Sequence, residues 1–179
     1  MFASASPLVR YLAAFAVCSF SVSGWAETFE EIKEMAEQGD AVAQYKLGNL
    51  YDSNEHGVMH DDAKTYYWFL KAAEQGYAPA QANLSLQYYY GSSHVRQDYK
   101  QAVMWQTKAA EQGYARAQYY LGNNYSEGKG VIQNYRQAFN WYMKAAKQGY
   151  AYAQSRIARM FEEGKGVLQD YKQAAKWYT

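Results

Sequence analysis

The chain has 179 residues, with 49% hydrophobic and 20% charged side chains, which suits one domain or a short repeat array and excludes a largely disordered chain. Eighteen Lys and Arg residues against 17 Asp and Glu residues leave a net charge of +1. This argues against a dedicated nucleic-acid binder, which would carry a clustered basic surface. The 20 Tyr and only 2 Pro residues indicate a helical protein whose helices carry many aromatic side chains.

Residues 1–26 have the pattern of a cleaved leader. The basic residue Arg10 precedes an apolar run over residues 11–22, and small residues follow at Gly24 and Ala26. These are the parts of a secretory signal peptide, and the run is shorter than the roughly 20 apolar residues of a membrane span. The sequence therefore predicts a signal peptide and an exported protein, periplasmic or secreted, with no transmembrane span after cleavage. An uncleaved anchor is the alternative.

Cleavage after Ala26 would change the composition of the chain. It removes Arg10 and leaves 17 basic and 17 acidic residues, and it removes Cys18, which is the single cysteine. An exported protein without disulfides must be held together by packing alone. Lipid attachment at Cys18 is disfavoured because Val17 precedes it, where bacterial lipoproteins usually carry a small residue.

Two unrelated residue types keep one period through the rest of the chain. The glycines that end the motif AEQG or AKQG are 37, 37 and 36 residues apart, at Gly39, Gly76, Gly113 and Gly149. The tryptophans are spaced 37, 36 and 36, at Trp68, Trp105, Trp141 and Trp177. Periods of this length are typical of a solenoid of stacked units. They divide the chain into a half-unit over 27–39, full units over 40–76, 77–113 and 114–149, and an incomplete unit over 150–179.

Each unit is predicted to form two helices, A and B. In the third unit, Ala117, Leu121 and Tyr125 recur at four-residue steps and indicate helix A over residues 115–125. A loop with two glycines follows over residues 126–133. Helix B then begins after an Asn or Asp N-cap, which recurs in every unit as Asp61, Asp98, Asn134 and Asp170.

One position of helix A carries only small residues: Gly48, Ser85, Gly122 and Ala158. A small residue there would let helix B approach closely. The repeated Trp of helix B is the expected large apolar side chain at this junction between the two helices. Trp and the aligned leucines are interpreted as core residues and not as cofactor ligands.

The repeated pattern A-x-A-Q-x-x-L-G-x-x-Y, then G-x-G-V, then D-Y-x-x-A-x-x-W-Y-x-K-A-A-x-Q-G resembles the Sel1-like repeat, a relative of the tetratricopeptide repeat. The third unit carries it almost throughout. The resemblance implies an all-α fold, a right-handed α-solenoid of antiparallel helix pairs. The first two units have one extra loop residue and a single loop glycine, Gly57 or Gly91, so their loops should differ in shape from the later ones.

The two ends of the array differ. The segment from Thr28 to Glu31 has the Thr-x-x-Glu pattern of a capping box, and it predicts a helix from Phe29 to Gln38 that acts as an N-terminal cap. The last helix would have about nine residues before Thr179, shorter than the roughly 12–15 at which isolated helices are marginal. We expect the fourth helix A to be partly uncovered, which favours a truncated chain over a face covered by something else.

No catalytic, cofactor or metal site is predicted. His56, His60, Asp61 and Asp62 could form a metal site, but a solvated loop with an Asp cap is the preferred interpretation. The Gly-Lys-Gly segments at Lys129 and Lys165 lack the strand and the Lys-Ser/Thr of a phosphate-binding loop, so they are interpreted as structural turns.

By resemblance to the tetratricopeptide pattern, the outward positions of helix A form a concave face. These positions do not repeat, which is typical of a recognition surface, although tolerant surface positions would also vary. Tyr and Arg are favoured interface anchors. The predicted partner-binding residues are Tyr45, Asn49, Asp52, Leu86, Tyr89, Arg116, Tyr119, Asn123, Tyr152 and Arg159, and Ala82, Ser126, Ser155 and Glu162 share their positions.

The resemblance implies an exported, non-enzymatic module that binds a protein or peptide, and neither nucleic acid nor a cofactor. We expect a monomer unless the uncapped C-terminal repeat pairs with another copy. Three alternatives remain open. They are an immunity protein against a secreted toxin, a cell-wall or β-lactam hydrolase by family analogy, and a metal-dependent hydrolase using the loop from His56 to Asp62.

Overall fold

The computed structural model describes residues 27–53 and 57–178; the predicted signal peptide and His56 lie outside these ranges. The described residues form helices and no strands, which confirms the all-α repeat fold. The helices are α1 Phe29–Glu37, α2 Ala41–Ser53, α3 Asp62–Glu74, α4 Ala78–Tyr90, α5 Tyr99–Glu111, α6 Ala115–Glu127, α7 Tyr135–Ala146, α8 Ala151–Glu163 and α9 Tyr171–Trp177. Helices α2, α4, α6 and α8 are the A helices of repeats 1 to 4, and α3, α5, α7 and α9 are the B helices.

Each helix packs mainly against the helices directly before and after it in the chain. Four small core clusters follow from this arrangement, one around each step of the array. A solenoid of this kind has nearest-neighbour contacts throughout. No helix in the described ranges is long and apolar enough to span a membrane.

The predicted helix starts are confirmed. Thr28 accepts the Glu31 amide and Glu31 accepts the Thr28 amide, which completes the capping box. The side chains of the four B-helix N-caps, Asp61, Asp98, Asn134 and Asp170, all accept a backbone N–H in the first turn. Short polar side chains at these positions satisfy donors that the helix itself leaves unpaired.

The small residue of helix A makes room for helix B, but the side chain that fills the space is not Trp. A Cβ on Gly48 would lie 2.6 Å from Phe69 Cδ1, and a Cβ on Gly122 would lie 2.5 Å from Tyr142 Cε1. In repeat 2, the Ser85 hydroxyl lies 2.9 Å from Gln106 Oε1. The prediction of Trp at this junction is therefore wrong, and the following residue fills it. We call Phe69, Gln106 and Tyr142 the junction residues.

The tryptophans instead lie at the contacts between repeats. Trp105 packs with Phe69 and Leu84, and Trp141 packs against the cluster that contains Ala109 and Leu121. Successive residues of an α-helix point about 100° apart. When the junction residue faces its own helix A, the preceding Trp is therefore turned towards the preceding repeat.

Glutamines join successive repeats in a ladder. Gln112 Nε2 donates to Gln81 Oε1 at 2.8 Å, and Gln81 Nε2 donates to the Ala73 carbonyl at 3.1 Å. Gln75 bonds Gln44 and Gln148 bonds Gln118 in the same way, at 2.8 and 2.9 Å. These bonds satisfy buried amides and set the spacing between repeats.

The loops of repeats 2 and 3 differ in shape, as predicted. Gly91 has φ 76° and ψ 163°, whereas Gly128 is left-handed at φ 72° and ψ 25°. A Cβ on Gly130 would overlap the Tyr99 carbonyl oxygen. The Gly-Lys-Gly loop of repeat 3 therefore packs directly on the start of the preceding B helix.

Candidate partner-binding groove

Three adjoining pockets cross the A helices of the four repeats, and together we call them the groove. The Asn49 pocket, of about 470 Å³, lies between α2, α4 and α6. The tyrosine pocket, of about 380 Å³, lies between α4, α6 and the start of α8, and Tyr90 lines both of these pockets. The Arg159 pocket, of about 200 Å³, lies between α6 and α8 and shares Glu127 with the tyrosine pocket.

The structure brings all ten predicted partner-binding residues into this groove. Five line the Asn49 pocket: Tyr45, Asn49, Asp52, Leu86 and Arg116. Four line the tyrosine pocket: Tyr89, Tyr119, Asn123 and Tyr152. Arg159 lines the remaining pocket. Their role in binding stays a prediction.

Ala82 is a correction to the expected outward positions. It is 1% exposed and packs in a core cluster with Ala117 and Leu121. The aligned tyrosines rest on the junction residues, with ring centroids 5.7 Å apart for Tyr45 and Phe69 and 5.9 Å for Tyr119 and Tyr142. The position faces helix B as well as the groove, so a side chain as short as Ala82 is covered completely.

A polar chain across three repeats fixes the wall of the Asn49 pocket. Asn83 Nδ2 donates to Asn49 Oδ1 at 3.3 Å, and Arg116 Nη1 donates to Asn83 Oδ1 at 3.2 Å. Asp52 and Asp62 also line this pocket, so it combines two carboxylates with one guanidinium. Such a surface suits a polar partner segment with charges of both signs.

Burial and ion pairing determine the protonation states of three groove side chains. Burial raises the pKa of Tyr89 and raises the pKa of Tyr142, so both phenols keep their protons at neutral pH and can donate hydrogen bonds. Hydrogen bonds from Lys165 and then Arg159 lower the pKa of Glu163 to about 2. That carboxylate is therefore ionised across the ordinary pH range.

The sequence of the repeats themselves decides the family. A profile of the Sel1 repeat matches residues 41–77, 78–114, 115–150 and 151–179. The chain belongs to the Sel1 repeat family. No curated protein matches it.

Solved structures share the Sel1 repeat fold. A protective antigen of uropathogenic Escherichia coli strains is 40% identical over 86% of this chain, with a TM-score of 0.82. A Sel1 repeat protein from Oxalobacter formigenes is 37% identical over 83% of this chain, with a TM-score of 0.73. This chain covers 32% of the first and 42% of the second, so it spans less than half of either. Helicobacter pylori cysteine rich protein B, at 21% identity, matches over 73% of this chain and 97% of its own with a TM-score of 0.54, and shares the fold alone.

Several groove residues of this Sel1 repeat chain were not predicted. Asn83, Tyr120 and Arg156 occupy one repeat position, and Tyr90 and Glu127 occupy another, and both positions vary from repeat to repeat. The same variability signal could have found them. Tyr150 could not have been found, because the aligned Tyr77 and Tyr114 make it look like a framework residue.

The polar residues of the loop that contains His60 cap α3 and contact neighbouring side chains. The Asp61 side chain caps α3 by accepting the Lys64 amide at 3.0 Å. His60 Nε2 lies 2.9 Å from Asp62 Oδ1, and Asp62 also accepts from Ser93. Within residues 27–53 and 57–178, no group of three or more His, Cys, Asp or Glu side chains is placed to hold a metal ion.

Proposed function

We propose that this Sel1 repeat chain is an exported, non-enzymatic interaction module that binds a protein or peptide in the groove. The observation that supports this most is the contrast between framework and groove within each repeat. Framework positions repeat because each has a packing or capping task, as Asp61, Asp98 and Asp170 do. Most of the positions that line the groove differ between repeats.

The groove residues are also of the types that dominate interfaces. Tyrosine supplies large contact area at low entropic cost, and arginine supplies directional hydrogen bonds. Tyr152 is 70% exposed although it is aromatic, and Tyr90 is 67% exposed. Two exposed aromatic rings beside a pocket are more typical of a binding surface than of a tolerant one.

Capture of partners with matched variants tests this function. The groove variant Leu86→Glu with Tyr152→Ala changes two pocket residues that pack in no core cluster. The control variant Met104→Glu with Tyr171→Ala makes the same kinds of change at residues that are 40% and 68% exposed and line none of the three pockets. Circular dichroism should show folded helices for both.

Wild type and the control variant should retain the same partner from an extract of the producing cell's envelope, and the groove variant should lose it. Equal retention by the groove variant would mean that the groove positions are a tolerant surface and that the partner binds elsewhere. An immunity protein would be one instance of this binding class, with a toxin as the partner.

Export rests on the leader pattern in residues 1–26 and on the composition after it. The remaining chain has no cysteine, so an oxidising compartment would not crosslink it. The relative from Escherichia coli is described as a protective antigen, which supports an exported location. Mass spectrometry of the protein from the periplasm or medium should give a chain that begins at Glu27, whereas an intact Met1 would contradict cleavage.

The absence of catalysis is a separate part of the proposal. The phenols of Tyr89 and Tyr142 are kept protonated by burial, and Glu163 is held ionised by two cations. None of these three groups has a pKa near neutrality, as a general base would need. Purified protein should neither hydrolyse nitrocefin nor bind zinc in a titration. Turnover of nitrocefin would favour the β-lactam hydrolase instead.

A further inference from the structure

The tyrosine pocket combines aromatic walls with a single charged residue. Its lining contains six tyrosines, Asn123 and Glu127, and no lysine or arginine. The faces of tyrosine rings carry a partial negative charge, because the π-electrons form a quadrupole with a positive edge. A pocket of this composition favours a cation over an anion or a neutral group.

The rings are held in place by one another. The Tyr119 centroid lies 5.2 Å from that of Tyr120, 5.3 Å from Tyr150 and 6.0 Å from Tyr152. Tyr119 also rests on the buried junction residue Tyr142, at 5.9 Å. The pocket is therefore preformed, and a ligand would not have to order these side chains.

The carboxylate of Glu127 keeps one oxygen available. Lys129 Nζ lies 2.8 Å from Glu127 Oε2, and the Tyr89 hydroxyl donates to the same oxygen at 3.3 Å. Neither contact uses Oε1. An ionised carboxylate has acceptor sites on both oxygens, so Glu127 can accept a further donor from a ligand.

The chain already places its own cations on tyrosine rings near this pocket. Lys129 Nζ lies 5.0 Å from the centre of the Tyr89 ring, and Arg116 Cζ lies 5.9 Å from that of Tyr120. Cations within about 6 Å of a ring centre are attracted by its face. Arg116 belongs to the neighbouring Asn49 pocket, so it flanks the tyrosine pocket without filling it.

We propose that the tyrosine pocket receives an arginine side chain of the bound peptide. The guanidinium would lie against the tyrosine faces and donate to Glu127 Oε1 and Asn123. Arginine fits better than lysine because its planar, weakly hydrated head stacks on aromatic rings and carries several donors in one plane. This inference rests on the proposed function and names the chemistry of one anchor of the partner.

Three blocked tripeptides serve as probes: Gly-Arg-Gly, Gly-Lys-Gly and Gly-citrulline-Gly. Citrulline has nearly the shape of arginine but no charge. Titration into the purified protein, followed by NMR of the tyrosine ring signals, should give the lowest Kd for the arginine probe. The citrulline probe should bind about tenfold more weakly, because it loses the cation–π attraction and the pairing with Glu127.

Matched variants locate the binding. Tyr152→Ala removes one exposed wall, and its control Tyr171→Ala removes a tyrosine that is 68% exposed outside the groove. Glu127→Gln removes the carboxylate charge, and Glu111→Gln makes the same change of net charge at an exposed residue of α5. The two pocket variants should weaken the arginine probe by about three- to fivefold, and the two controls should leave its Kd unchanged.

Each result bears on the arginine anchor separately from the proposed function. Equal Kd values for the arginine and citrulline probes, a preference for lysine, or no change of the tyrosine signals would each overturn the inference. The capture experiment with Leu86→Glu and Tyr152→Ala does not use these probes. Loss of the envelope partner in that variant would still support the groove even if the pocket does not select arginine.

Discussion

Repeats 2 and 3 fill the space between helices A and B differently, with a polar pair in repeat 2 and an aromatic ring in repeat 3. In repeat 3, Gly122 lets the Tyr142 ring lie on the backbone of α6, and the Tyr142 hydroxyl donates to Asn123 Oδ1 at 2.7 Å. In repeat 2, Ser85 and Gln106 form a buried polar pair, and both are at most 1% exposed. The smallest residue on helix A faces the largest one on helix B, and the larger serine of repeat 2 faces a smaller glutamine. The two repeats therefore differ by a coupled replacement of both residues and not by two independent substitutions.

Repeat 1 shows that an aromatic junction residue does not need a hydroxyl group. Phe69 packs on Gly48 as Tyr142 packs on Gly122. The residue after the small position is Asn49 in repeat 1, Leu86 in repeat 2 and Asn123 in repeat 3. A tyrosine in repeat 2 would therefore lack the acceptor that Asn123 supplies, and phenylalanine is the matched aromatic for that repeat.

Substitution of Gly122 by Ser should cause the largest loss of stability at the junction of repeat 3. The new Cβ would lie 2.5 Å from Tyr142 Cε1, so the ring must move out of its position. We expect a loss of about 1–3 kcal/mol in the free energy of unfolding, which is typical of overpacking, measured by urea denaturation. Ala151→Ser adds the same hydroxyl at an exposed residue of α8 and should change stability by less than about 0.5 kcal/mol. Equal values for the two variants would show that the glycine is not required.

A double-mutant cycle in repeat 2 should show that the junction pair is coupled. Ser85→Gly leaves Gln106 Oε1 without its hydroxyl partner, and Gln106→Phe places a ring against the Ser85 side chain. Each single variant should be destabilised, while the double variant recreates the pair of Phe69 and Gly48. We expect a coupling free energy of at least about 1 kcal/mol, within the range for residues in contact. Additive losses would mean that the two positions are filled independently.

Tyr142→Phe should have the smallest effect and separates the hydroxyl from the ring. At neutral pH we expect a loss of about 1 kcal/mol, because only the hydrogen bond to Asn123 is removed. Burial raises the pKa of Tyr142 above its ordinary value of 10.0. The stabilisation from this phenol is therefore present below pH 10 and is lost as the pH rises above it, when the unfolded chain releases the proton first.

The difference between wild type and Tyr142→Phe should accordingly shrink above pH 10. Urea denaturation at neutral pH and above pH 10 measures it. Tyr171→Phe, at a tyrosine that is 68% exposed, provides the control and should show no such change. A difference that stays constant with pH would contradict a buried, protonated phenol in repeat 3.

The candidate site could be predicted in part, because most of its residues vary between repeats whereas the framework residues recur. The outward positions implied by the tetratricopeptide resemblance gave ten groove residues, and variation between repeats would extend the set to Asn83 and Tyr120. Variation could not find Tyr150, which repeats, and the outward positions wrongly included Ala82, which is covered. Variation marks positions that packing does not fix, but it does not say how deep a side chain of given length lies.

The repeat period follows from the sequence alone, as do the family, the helix starts and the position where helices A and B approach. These properties depend on local chemistry, such as Asp and Asn caps, or on residues that recur in every unit. The packing of the helices was needed to show that Tyr142 and not Trp141 fills the junction, and that glutamines such as Gln81 and Gln112 join the repeats. Neighbouring residues on a helix point about 100° apart, so a small rotation of helix B against helix A and the next repeat decides which of them is buried where.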